Sequence, residues 1–109
     1  MDVIERIKDQ LGSHPVVLYM KGSPDFPQCG FSSQVVQALK ACNTQFMYIN
    51  IFEDLEVREA LKEYSNWPTY PQLYIDGELV GGCDIIMDLY NKGELEGMVA
   101  AATKETKES

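Results

Sequence analysis

The chain of 109 residues, 45% hydrophobic and 24% charged, is long enough to bury one core of its own and has no apolar run of membrane-spanning length. A formal net charge of −8, with no local basic patch to offset it, argues against nucleic acid and anionic membrane as partners. Three cysteines, Cys29, Cys42 and Cys83, are an odd number at wide spacing, which suits a reducing compartment better than a disulfide framework.

The opening stretch mixes both signs of charge and lacks the apolar core of a secretory signal, so a cytoplasmic chain is expected. Asp2 followed by Glu5 resembles a capping box, and Val3, Ile4, Ile7 and Leu11 form a helical stripe ending at Gly12. "VVLYM", 16–20, reads as a strand buried on both faces. It runs into the loop "KGSPDFPQCGFSS", 21–33. From Ser32 or Ser33, a second helix carries Val35, Val36, Leu39 and Cys42 inward. "FMYINI", 46–51, is strand-like, and Asp54 caps a third helix with Val57, Ala60, Leu61 and Tyr64 on one face. "QLYIDGELVGG" is two short strands around Asp76-Gly77, a strong hairpin signal. Asp84 is expected to cap a fourth helix through Leu89 and Tyr90. After Gly93, Leu95, Met98, Val99 and Ala102 form a last amphipathic stretch.

This order predicts an α/β protein: a thioredoxin-like, four-stranded mixed sheet with helices on both faces. One domain is expected over residues 1–103, followed by a solvated tail, 104–109.

Cys29 falls between the end of a strand and the start of a helix, where unpaired N–H groups and the helix dipole favour negative charge. Lys21, at the mouth of the same loop, adds to that effect, so a reactive thiolate is expected. Cys42, on an apolar stripe, reads instead as a small core residue. Ser32 stands where the second cysteine of a C-x-x-C pair would be, and a hydroxyl cannot resolve a mixed disulfide. Zinc is a poor reading, since His14 is the only histidine and no metal-type cysteine spacing occurs.

"CGFS" after "YMKGSP", together with "WPTYPQLYIDGELVGGCD" and the element order, closely resembles the monothiol, CGFS-type glutaredoxins. The resemblance covers essentially the whole chain up to the tail. It implies binding of glutathione, whose two carboxylates, ammonium and thiol need cations, an anion and backbone donors around a central sulfur. Lys21 and Arg58 would face its glycine carboxylate. The backbone of Gly82, Cys83 and Asp84 would take the γ-glutamyl carboxylate, and the Asp84 side chain the ammonium. A cis Tyr70-Pro71 bond would present the Tyr70 backbone to the tripeptide, and Trp67-Pro68 would lie near the site. The resemblance further implies a homodimer bridged by a [2Fe–2S] cluster, ligated by Cys29 of each chain and two glutathiones. Such a dimer would pass the cluster to iron–sulfur acceptor proteins and form mixed complexes with BolA-like proteins.

Two other readings of the same residues stand beside this one. Cys29 alone can run glutathione-dependent thiol–disulfide exchange, with glutathione as the resolving thiol. A pure interaction module would use Trp67, Tyr70 and Phe31 as an aromatic patch and leave the thiol unexplained. Cys83, at the same end of the expected fold, is either a disulfide partner for Cys29 or a buried thiol beside a glycine pair.

Overall fold

The computed structural model describes residues 2–108, and the side chains of residues 2–103. Asp2 Oδ1 accepts hydrogen bonds from the N–H groups of Ile4 and Glu5 at 2.8 and 3.1 Å and starts helix α1, Val3–Ser13. The helix continues through Gly12 for one residue beyond the expected stop. Strand β1, Val16–Met20, is buried along its whole length. Helix α2, Gly30–Ala41, then leads to strand β2, Met47–Asn50. Asp54 caps helix α3, Leu55–Ser65, by accepting from the Val57 N–H at 3.2 Å. Strands β3, Gln72–Ile75, and β4, Glu78–Gly81, flank the expected turn, where Asp76 and Gly77 both have positive φ (52° and 80°). Helices α4, Cys83–Asn91, and α5, Glu94–Glu108, complete the chain. The side chains of 104–109, expected as a solvated tail, lie outside the described residues.

The sheet order is β2-β1-β3-β4, with β1 and β2 parallel and the other pairs antiparallel. This is the mixed thioredoxin-like sheet. Because side chains alternate along a strand, β1 feeds two cores. Val16, Leu18 and Met20 pack with Val35, Leu39, Ile86, Leu95 and Val99 of α2, α4 and α5. Val17 and Tyr19 face the other way, onto Ile7 and Leu11 of α1 and Val57 and Leu61 of α3. Each fully buried aliphatic side chain contributes about 1.5–3 kcal/mol relative to exposure. The pairing also decides where a site can form. Tyr19 pairs with Gln72, and Leu73 with Gly81. The end of β1, the start of β3 and the end of β4 therefore emerge at one edge of the sheet.

Three expectations need correction. Helix α2 starts at Gly30, before Ser32, because Cys29 is extended (φ −154°, ψ 137°) and is itself the N-cap. Helix α4 is capped by Gly82, with Asp84 in its first turn and no side-chain capping bond. Tyr64, expected on the inward face of α3, is 41% exposed, though its phenol comes near enough to Tyr74 to interact with it electrostatically. Cys42 is half-buried against the α2–α4 core, and burial first, then Glu96, pushes its thiol up.

Candidate functional site

The loop after β1 is held by its own backbone. Gln28 N–H donates to the Lys21 carbonyl at 2.8 Å, and Ser23 and Phe26 exchange backbone hydrogen bonds at 3.3 and 3.1 Å. Gly22 turns the chain at φ +91°, and a Cβ there would stand 2.5 Å from the Phe26 carbonyl oxygen. Its N–H donates to Asn50 Oδ1 at 3.1 Å, which ties the loop to the end of β2. Ser32 is fully buried, and its Oγ accepts the Lys21 N–H at 3.2 Å. The hydroxyl in the place of a second thiol thus pins the start of α2 to the end of β1.

Cys29, half-buried, caps α2. The neutral thiol closes no capping hydrogen bond. What the helix end does is favour the charged form. The Ser32 N–H stabilises the thiolate most, followed by the Phe31 N–H and the Lys21 ammonium, and together they outweigh burial and hold the pKa below the ordinary thiol value.

Beside this thiol lies a cleft of about 430 Å³, lined by Lys21, Phe31, Trp67, Tyr70, Cys83 and Asp84, with Thr69, Gly82 and Ile85. The lining residues come from the end of β1, the start of α2, the segment before β3 and the residues that follow β4, which the sheet pairing brings to one edge. The Tyr70-Pro71 bond is cis. Gly82, the N-cap of α4, packs so closely that a Cβ would stand 3.1 Å from Trp67 Nε1 and 3.4 Å from the Pro71 carbonyl oxygen. Cys83 donates weakly to Gln34 Oε1 at 3.4 Å. Burial first, then Asp84 and Cys29, push its thiol up, opposite to Cys29.

Of the residues singled out in the sequence, the cleft gathers Lys21, Phe31, Trp67, Tyr70, Gly82, Cys83 and Asp84, with Pro71 behind Gly82. Cys29 is not among the lining residues, but Lys21, Phe31 and Cys83, which are, all act on its thiol or are acted on by it. Arg58 does not line it. Its guanidinium carbon sits 5.7 Å from the Phe52 ring centroid, and its carbonyl accepts the Tyr70 hydroxyl at 2.6 Å, so it stands behind the Tyr70 wall. Sequence reasoning missed Thr69, Ile85, Asn50 and Gln72. Gln72 carried a signal: an amide inside an apolar strand run needs buried partners.

One activated thiol capping a helix, a cis-proline behind the Gly82 wall, and a cleft at one edge of a mixed sheet define the class: a thiol protein of thioredoxin-like fold. The sequence pattern of the glutaredoxin family matches residues 16–80. Glutaredoxin 4 of Escherichia coli (strain K12) is 53% identical over 96 residues, covering 88% of this chain and 84% of that one. Glutaredoxin 4 of Haemophilus ducreyi is 48% identical over 105 residues, 95% and 98% of the two chains. The solution structure of reduced poplar apo GrxS14, 53% identical, superposes with a TM-score of 0.80 over 93% of each chain. The buckwheat glutaredoxin–glutathione complex shares the fold at 22% identity, with a TM-score of 0.82 over 93% and 90%. The chain belongs to the glutaredoxin family, and with Ser32 where the second cysteine of a C-x-x-C pair would stand it is a monothiol member.

Proposed function

We propose that the cleft binds glutathione with its sulfur beside Cys29, and that two chains so loaded carry a [2Fe–2S] cluster between them and deliver it to acceptor proteins. The observation that carries this reading is the pairing of an activated Cys29 with a buried Ser32. The site offers one activated thiolate; Ser32 cannot resolve a disulfide, and Cys83, which lines the cleft, has its thiol pushed up by burial, Asp84 and Cys29. Such a cluster takes four ligands, mostly thiolates. Among the described residues no group of three or more His, Cys, Asp or Glu side chains gathers to hold a metal. Cys29 is the thiol whose pKa is lowered while those of Cys42 and Cys83 are raised, so in this reading each of two chains contributes Cys29 and two glutathione sulfurs complete the set. The cluster is cargo, held partly by small thiols that can leave.

The chemistry of the cleft supports the glutathione half. Lys21 supplies a cation for the glycine carboxylate; Arg58, the second cation that the resemblance implies there, lies outside the cleft lining with its guanidinium over Phe52. The open amides of Gly82 and Cys83 suit the γ-glutamyl carboxylate, and Asp84 suits the ammonium. The Tyr70 backbone, beside the cis Pro71, is available to the peptide. Buckwheat glutaredoxin, of the same fold, was solved in complex with glutathione. BolA-like proteins are the expected partners in mixed complexes. A reducing compartment such as the cytoplasm, where thiols stay free, suits a function resting on one thiolate.

The lowered Cys29 pKa also favours a second reading, glutathione-dependent disulfide exchange. The Cys29 thiolate would attack the glutathione sulfur of a mixed disulfide, releasing the substrate thiolate. A second glutathione thiolate would then free Cys29 and leave as glutathione disulfide.

Anaerobic visible absorption with size-exclusion chromatography, after reconstitution with iron, sulfide and glutathione, separates the two. The expected result is sulfur-to-iron charge-transfer bands in a dimer, lost without glutathione and lost in Cys29→Ser. A colourless monomer that turns over a glutathione mixed disulfide would replace the carrier reading by the exchange reading.

A further inference from the structure

Gln72 is completely buried at the start of β3, where an unpaired amide is costly. It is fully used. Its Nε2 donates to the carbonyl oxygens of Trp67 at 3.0 Å and Thr69 at 3.2 Å, and its Oε1 accepts the Tyr74 hydroxyl at 3.0 Å. The Tyr74 phenol decides which end of the amide faces the loop, because its hydroxyl occupies the oxygen and leaves both N–H groups for the two carbonyls. Burial raises the Tyr74 pKa to about 12, so the hydroxyl stays a donor.

The segment so held carries three of the cleft's walls, Trp67, Thr69 and Tyr70, without regular secondary structure of its own. At its entry the Trp67 N–H donates to Ser65 Oγ at 3.2 Å. At its far side the indole packs on Gly82, the cap of α4. Between these contacts the Tyr70 hydroxyl is tied to the Arg58 carbonyl at 2.6 Å, and Gln72 is the side chain that holds the backbone carbonyls of the segment.

We propose that Gln72 is the positioning residue of the cleft. Its buried amide holds the 67–69 backbone so that Trp67, Thr69 and Tyr70 face the ligand space, while Gln72 itself touches none of it. The predicted effect on glutathione rests on the function proposed above. The effect on the loop does not.

Trp67 is the chain's one tryptophan, so its emission and its quenching by acrylamide report on this loop alone. Gln72→Met keeps the length of the side chain and removes every hydrogen bond. In the folded variant Trp67 quenching is expected to rise about twofold or more and glutathione affinity to fall about tenfold, as lost buried hydrogen bonds imply. The pH profile of Cys29 alkylation should stay in place. A residue serving stability alone would lower the unfolding midpoint and leave quenching and affinity unchanged, and that result overturns the proposal. If the unaltered chain binds no glutathione, the functional reading falls and the quenching comparison still decides on Gln72. If Gln72→Met does not fold, hydrogen exchange in the unaltered chain decides. The Gln72 side-chain amide protons should exchange about tenfold or more slowly than those of exposed Gln45, and equal rates reject the clamp.

Discussion

Two helices of this molecule begin with their own carboxylate, and two do not. On one face of the sheet, α1 and α3 are capped by Asp2 and Asp54, whose oxygens accept the first free N–H groups. On the other face, α2 and α4 begin at Cys29 and Gly82 with no side-chain capping bond, and both open onto the cleft. Uncapped N–H groups are a stability debit wherever nothing else meets them. Their concentration at one end of one layer marks where a ligand's negative charge belongs. The two open starts also differ from each other. Cys29 is the cap, with its sulfur in front of the Ser32 and Phe31 amides, and its pKa is lowered. Cys83 is one residue inside its helix, beside Asp84 and partly buried, and its pKa is raised.

Removing the first sulfur should break this contrast most. At neutral pH, alkylation by iodoacetamide should fall about tenfold or more in Cys29→Ser, because Cys42 and Cys83 both keep their protons to higher pH than Cys29 does. Peptide mass spectrometry of the labelled chain reads this directly. Undiminished labelling would mean that Cys83 or Cys42 is the reactive thiol. The capped face answers to a different readout. Asp54→Ala removes the α3 cap and the partner of Arg6 Nη2 at 3.1 Å, and should cost about 1–2 kcal/mol in urea unfolding at unchanged slope. Cys29 labelling should not move, since this cap lies in the other layer.

How far the sequence shows this division depends on what kind of residue marks each start. An aspartate before an apolar stripe announces a cap, so α1 and α3 could be read with their boundaries close to the observed ones. A cysteine or glycine cap announces nothing. The start of α2 was therefore expected at Ser32 or Ser33, and the cap of α4 was assigned to Asp84. The strands, the hairpin turn and the paired cores were legible because alternation and Asp76-Gly77 are local signals. The cleft was legible at Trp67, Tyr70, Gly82, Cys83 and Asp84 through the resemblance to monothiol glutaredoxins, and at Lys21 also from its place in the Cys29 loop. Asn50 was not, because it acts on backbone distant in sequence and no periodicity encodes such a contact; Gln72, an amide in an apolar strand run, signals that it has buried partners but not which ones. Arg58 shows the converse: a motif position whose side chain rests over Phe52, outside the cleft lining.

The finest test asks whether side-chain charges or backbone amides set the order of the two thiols. Lys21→Met removes a cation that lowers the Cys29 pKa, so its alkylation profile should move to higher pH. Asp84→Asn removes an anion that raises the Cys83 pKa, so its profile should move to lower pH. Both shifts should be small, because the first influence on Cys29 is the Ser32 amide and the first on Cys83 is burial. In the double variant the two curves should approach without crossing. Molar salt should shrink the Asp84 shift more than the Lys21 shift, since Asp84 is exposed and Lys21 half-buried, while the amides at the start of α2 are not removed by salt. Curves that cross, or that merge in salt alone, would mean that Lys21 and Asp84 distinguish the two helix starts. Curves that stay apart leave the distinction with the position of each sulfur relative to the first turn of its helix.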